Sequence, residues 1–258
     1  MVIAAGPRGT LLQMLWIEAF AMPPAAVAML ESSAWLVVAA ATVLGVLRPS
    51  MRLLLLMPFL WGLLQSLLGS LFGTAAYAEL TVLSQAARYM APLGLLLLLL
   101  HLDGEGDRRR TAEWCLRVGL SLTFAFHGLR ALIGAEQFIP LLELSAVNVL
   151  GIEPRQGDIR LLLGVIGAVD VAAAVALLIR PWAPVLLWMA FWGVVTGASR
   201  MTAGGWVELP ELLLRAAHYM APLALLVLVR QPAGAVNRPP EPPGATAGPH
   251  EAPAQGPQ

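Results

Sequence analysis

The sequence predicts an all-α integral membrane protein, a tandem duplication of a four-helix transmembrane bundle with about eight helices in parallel repeat. Three observations predict it. The 258 residues are 58% hydrophobic and only 12% charged, with a mean hydropathy of +0.74, whereas soluble domains carry about 25% charged residues. Uncharged runs such as Ser32–Leu47, Leu53–Ala78 and Pro181–Ser199 approach or exceed the roughly 20 apolar residues that cross a bilayer. Finally, Ala86-Ala-Arg-Tyr-Met-Ala-Pro-Leu93 returns as Ala216-Ala-His-Tyr-Met-Ala-Pro-Leu223, with Arg88 exchanged for His218.

The spans are expected at 10–29, 32–48, 51–73, 79–100, 112–133, 159–180, 182–201 and 209–230. The first holds Pro23-Pro24, which shortens or kinks it. Its Arg8, apolar run and Ala19-Phe20-Ala21 imitate a signal peptide. Glu18 interrupts that run, and the second repeat requires a matching first helix, so the segment is read as retained. Segment 134–158 mixes apolar residues with Glu136 and Glu143 and reads as an interfacial helix or hairpin. From Gln231 onward Pro, Gly, Ala and Gln dominate, a composition that buries too little to fold.

The duplication reaches beyond the octapeptide. Val38-Ala-Ala-Ala41 aligns with Val171-Ala-Ala-Ala174, Arg48-Pro49 with Arg180-Pro181, and the stretch ending in Trp61-Gly62 with the one ending in Trp192-Gly193. The domains are therefore 1–110, a diverged first unit; 111–230, a second unit; and 231–258, a disordered tail. Four helices per unit give both copies one orientation. The bias of Arg48, Arg52, Arg108, Arg109, Arg110, Arg180 and Arg230 toward one side places both termini in the cytoplasm of a cell (plasma or inner) membrane.

In a continuous helix Thr81, Gln85, Arg88 and Pro92 share one face, as do Glu211, Arg215, His218 and Pro222. Each proline leaves unbonded the carbonyl four residues back, that of Arg88 or His218, beside Tyr89 or Tyr219. This predicts a kink with an open backbone acceptor. Ionisable groups inside spans cost about 2.5–3.5 kcal/mol each on insertion scales and are therefore turned inward and paired. Those groups are Glu18, Arg88, Arg117, His127, Arg130, Asp170, Arg215 and His218, and Thr123 joins His127 and Arg130 on one helix face. Two arrangements fit them: a polar cavity suited to an anion or a quinone head group, or an internal ion-pair lattice.

Several chemistries are excluded. All sixteen basic residues are Arg, so no lysine Schiff base forms. Cys115 is the sole cysteine, which removes disulfides and CxxC redox pairs. No metal site is expected, because no cluster has the ligand count for zinc or a di-iron centre. His127 and His218 are the only pair placed for axial ligation, and haem is not expected from one pair. No nucleic acid partner is expected of a chain with zero net charge and no basic block.

Residues 114–230 resemble the DoxX-like membrane proteins. Phe126-His127-Gly128-Leu129-Arg130 resembles the family's hG-x-x-K/R pattern. Gly164-Val-Ile-Gly167-Ala-Val-Asp170 resembles its G-x-x-E pattern, with Asp in place of Glu. Ile179-Arg180-Pro181 matches the tight connection to the next helix. The resemblance implies a four-helix membrane unit and, by way of relatives in respiratory redox complexes, a quinone- or small-anion-binding subunit beside a soluble or membrane oxidoreductase partner in the lipid bilayer. Only His127, Gly128, Arg130 and Asp170 carry over from the family pattern. With the repeat added, the expected binding site is His127, Arg130, Asp170, Arg215, His218 and Tyr219, with Arg88 and Tyr89 as its diverged counterpart. No catalytic residue is named. A small-solute carrier and a non-catalytic scaffold or assembly factor are the alternative functions.

Overall fold

The computed structural model describes residues 17, 20–73, 77–102 and 108–230. Residues 10–16 of the expected first span, Glu18, the middle of the linker between the halves and the 231–258 tail lie outside the described residues. Every regular element among the described residues is helical. The first half comprises α1 (Pro24–Leu47), a 3-10 stretch (Pro49–Leu55) running into α2 (Leu56–Phe72), a 3-10 turn (Ala78–Leu80) with α3 (Thr81–Ser84), and α4 (Ala86–Leu102). The second comprises α5 (Arg109–Leu132), α6 (Ile139–Leu150), α7 (Gln156–Ile179), α8 (Ala183–Gly204), α9 (Leu209–Leu214) and α10 (Ala216–Arg230).

Among the described residues four helical stretches are long and apolar enough to cross a membrane: Pro24–Leu47, Pro49–Phe72, Ala78–His101 and Gln156–Ile179. The pair Trp206–Leu214 and Ala216–Arg230, bent by 41°, makes a fifth if it counts as one span. This is fewer than the eight expected. Helices α5 and α8 have the length, at 24 and 22 residues, but α5 carries Arg109, Arg110, Glu113, Arg117 and Arg130, and α8 carries Thr196, Ser199 and Arg200. Residues 24–29, expected at the end of the first span, instead open α1. Proline is preorganised for the first helical turn, so Pro24 starts a helix here. Side chains that face away from the bundle are apolar, as at Leu36 (71% exposed), Leu161 (71%) and Ile179 (77%).

Helix α5 occupies the centre, packed on α4, α7 and α10. Its Leu116, Leu120 and Phe124 join Leu177 of α7, Leu186 and Met189 of α8 and Leu225 of α10 in one core. Helices α5 and α7 cross at paired glycines. A Cβ added at Gly128 would lie 2.7 Å from the Gly167 carbonyl oxygen, and one at Gly167 would lie 2.5 Å from that of Gly128. Small residues let backbones approach this closely. The crossing also sets the site, because His127 adjoins one glycine and Asp170 lies one turn beyond the other.

One local pattern occurs twice. A residue with left-handed φ, Tyr77 (62°) or Gly205 (80°), precedes a 3-10 turn and a short helix. The helix then breaks at Gln85 or Arg215 and resumes as α4 or α10. Past each break the N–H of Arg88 or His218 bonds three residues back, to Gln85 O at 2.9 Å or Arg215 O at 2.8 Å. The Tyr89 hydroxyl donates to Val82 O at 3.2 Å and the Tyr219 hydroxyl to Leu212 O at 3.5 Å, so both span the break. The bend thus precedes the octapeptide, and Pro92 and Pro222 sit inside unbroken helices. The carbonyl that Pro222 leaves unbonded is covered: Gly193 packs so closely on His218 that an added Cβ would stand 2.8 Å from that oxygen. Close helix contact of this kind allows proline within a packed helix.

Arginines gather at one end of the bundle and cap helix C-termini. Arg52 donates to Leu99 O, Arg109 to Leu228 O at 2.6 Å, and Arg117 to Leu177 O and Leu178 O at 3.2 and 2.9 Å. A cation there satisfies terminal carbonyls and complements the helix dipole. Arg117 also pairs with Glu113 at 3.5 Å and lies 4.2 Å from the centroid of the Trp114 ring. Its role is therefore structural, away from the predicted site.

Candidate functional site

The site forms toward the other end, where α5, α7, α8 and α10 converge. His127 of α5 and His218 of α10 bring their rings near-parallel, 8° apart in plane with centroids 5.7 Å apart. The His218 Nδ1 stands 3.2 Å from Arg215 O. A carbonyl only accepts, so Nδ1 is the donor in that bond, and in the neutral ring Nε2 is left as an acceptor. Nε2 of His218 and both ring nitrogens of His127 are buried without partners. The edge of His127 meets Phe138 at 6.4 Å.

Asp170 of α7 is 5% exposed, and its Oδ1 has no hydrogen-bond partner. The indole of Trp192, from α8, is turned toward this carboxylate without closing a hydrogen bond. Buried polar groups are normally satisfied, and each exception calls for an explanation. Here the exceptions line a cavity. A space of about 120 Å³ is bounded by His127, Asp170, Trp192, Thr196, Arg200 and Arg215 on its polar side. Phe138, Leu141, Leu142, Leu163, Ile166 and Val195 form its apolar walls. A smaller space of about 30 Å³ shares His127, Asp170, Trp192 and Thr196 and reaches His218. Helix α6, which supplies Leu141 and Leu142, is tied to α8 by Ser145 Oγ to Thr202 Oγ1 at 2.7 Å and Asn148 Nδ2 to Thr202 O at 2.8 Å.

The surroundings are rich in cations. Arg215, Arg130, Arg88 and Arg200 all act electrostatically on His127. Glu211 acts on both Arg88 and Arg215, and Glu79 on Arg130. Asp170 makes no ion pair among the described residues and stands on a cavity wall.

The structure therefore brings His127, Asp170, Arg215 and His218 together. Arg130 is buried beside them at 6% exposure, outside the cavity lining. Tyr219 and Tyr89 hold the helix breaks and line neither cavity. Arg88 lies in a separate cleft. Thr123 also turns away from its expected partners: its Oγ1 accepts the Ala87 N–H at 2.8 Å, next to the first break. Sequence reasoning missed Trp192, Phe138 and Thr196 as wall residues. The aligned Trp61-Gly62 and Trp192-Gly193 pairs were the signal for Trp192, since they hold the same register against the octapeptide in both halves.

Chemically, the arrangement offers two imidazoles, a carboxylate and two guanidiniums at one end of an apolar box. It suits a small oxygen-bearing group and proton exchange with it. Among the described residues no three His, Cys, Asp or Glu side chains gather in a way that holds a metal ion. No family model matches this chain, and no curated protein or solved structure is significantly similar to it.

Proposed function

We propose that the protein is a duplicated, DoxX-like membrane subunit that binds a quinone-type head group in the second-half cavity and supports a membrane oxidoreductase. The observation that carries this reading is the His127–His218 pair with Asp170, which puts unpartnered polar atoms at one end of an otherwise apolar cavity. A ligand pocket of this kind is mostly apolar, with a few converging polar groups that fix orientation. A quinone presents carbonyl oxygens to Arg215 and to the N–H of the neutral His127 imidazole, and its ring to the Leu and Ile wall. Asp170 and the histidines are placed to exchange the protons that accompany quinone reduction. The apolar exterior and the long apolar helices support insertion in a bilayer, and the two matched helix breaks support a duplication. The arginine-capped end supports cytoplasmic termini by the positive-inside bias.

The excess of guanidinium groups makes a small anion the competing ligand. The test uses purified protein in nanodiscs titrated with a short-chain ubiquinone analogue, with sulfate and acetate as competitors. Asp170→Asn and His218→Ala are each expected to weaken quinone binding by tenfold or more, because each removes a buried charged or hydrogen-bonding partner. Unchanged affinity in both variants refutes the site. Binding of sulfate in place of the quinone converts the reading to an anion site.

A further inference from the structure

A larger cleft, walled by α1, α2, α3 and α4 of the first half and by α9 and α10 of the second, is not used by the second-half reading. Its volume is about 350 Å³, and Trp35, Trp61, Gln65, Gln85, Arg88 and Glu211 are on its walls. Trp35 and Trp61 meet edge to face, centroids 5.8 Å apart at 84°. Four polar atoms of these residues are buried without a partner: Trp61 Nε1, Gln65 Nε2, Gln85 Oε1 and Arg88 Nε. Three of the four are donors.

The charges show which partner is missing. The Arg88 side chain makes no hydrogen bond or ion pair among the described residues, and Glu211 is the acid that acts on it. The same Glu211 also acts on Arg215, while Arg200 repels both guanidiniums. One carboxylate, Glu211 on the cleft wall, thus serves two guanidiniums, and the cleft is one negative charge short of balance. Buried or half-buried cations ordinarily have an anionic partner, because an unpaired one is expensive. Donors from Trp61, Gln65 and Arg88 surrounding one space match an oxyanion. The tryptophans, with Val38, Pro58 and Leu214 on the same walls, match an apolar body attached to it.

We infer that this cleft is a second ligand site, for the carboxylate or phosphate head of an anionic amphiphile, held by Arg88 with Trp61 and Gln65. Its head chemistry has two sources, a bilayer lipid or a small soluble anion, and the experiment separates them. Full-length protein is purified, delipidated and titrated with phosphatidylglycerol, phosphatidylcholine, laurate and inorganic phosphate, with bound ligand read by native mass spectrometry. Saturable binding of phosphatidylglycerol over phosphatidylcholine is expected. Arg88→Gln should weaken it at least tenfold, the scale of a lost charged hydrogen bond. Trp61→Phe, which keeps the aromatic wall and deletes one donor, should weaken it several-fold, and it decides the matter if Arg88→Gln does not fold. Binding by phosphatidylglycerol or laurate but not by inorganic phosphate assigns an amphiphile, and equal binding by inorganic phosphate assigns a free anion. Equal affinity for phosphatidylcholine, no saturable binding of any anion, or unchanged binding in the folded variants overturns the inference.

Discussion

Gly167→Ala, with Gly164→Ala as its control, tests whether the α5–α7 crossing builds the site. Both glycines lie on α7, one turn apart, so each alanine brings the same helix-propensity gain of up to about 1 kcal/mol. The space around them differs. A Cβ at Gly164 meets nothing within 4 Å, whereas one at Gly167 lies 2.5 Å from Gly128 O, 2.7 Å from Leu132 Cγ and 2.8 Å from Leu132 N. Two of those atoms are main chain and cannot rotate aside. Ordinary contact begins at 3.4 Å, so α5 must retreat by about 0.9 Å. A gap of about 0.5–1 Å already forfeits a quarter to a half of each contact's dispersion energy, and overpacking of this kind costs about 1–3 kcal/mol.

Because the propensity gain is common to both variants, their difference isolates the packing cost. Gly167→Ala should be about 1–3 kcal/mol less stable than Gly164→Ala, measured by reversible unfolding in mixed micelles with circular dichroism. The displacement also separates His127 from Asp170, so quinone affinity should fall in Gly167→Ala and hold in Gly164→Ala. Stabilities within about 0.5 kcal/mol of each other, the range of an ordinary surface change, refute the reasoning.

Three further substitutions probe single contacts. Thr123→Val keeps the shape but strands the Ala87 N–H, which Thr123 Oγ1 accepts at 2.8 Å; it should cost about 1–3 kcal/mol, with Thr123→Ser restoring most of it in the same unfolding assay. Arg117→Met removes the donor to two α7 carbonyls and should destabilise by roughly 1.5–3 kcal/mol, while Arg117→Lys, without the planar fork, recovers only part. Tyr89→Phe should cost about 1 kcal/mol and Tyr219→Phe measurably less, since their hydroxyl bonds span 3.2 and 3.5 Å and the longer approaches the limit of a real bond.

Helix positions in the second half were readable because apolar runs and Arg-Pro or Gly boundaries are local signals. The beginning of α1 was misread, since Pro23-Pro24 ends or starts a helix with equal ease from composition alone. The helix breaks at Gln85 and Arg215 were invisible, because neither residue is a helix breaker. Each break is spanned by the hydroxyl of a tyrosine four residues past it. The inward turn of His127, Asp170 and His218 followed from the energetics of ionisable groups among apolar ones. The stacking of His127 on His218 did not, because it joins α5 to α10, 91 positions apart in the chain.

The two halves show how one exchanged residue accompanies two different cavities. Gly193 and Gly62 hold matching places opposite the octapeptide, yet they approach it differently. A Cβ at Gly193 would stand 2.8 Å from His218 O, while one at Gly62 would stand 3.6 Å from Arg88 O. The second half is therefore closed at its crossing and leaves spaces of about 120 and 30 Å³ around a compact imidazole. The first half stands further apart and leaves about 350 Å³ beside a long guanidinium. Tight packing around an aromatic ring suits one small planar group. A wider space with an uncommitted cation suits a charged head. If a single duplicated scaffold acquired two ligand chemistries, the helix spacing at these glycines and the residue facing it had to diverge together, because an arginine cannot fold into the room that His218 occupies.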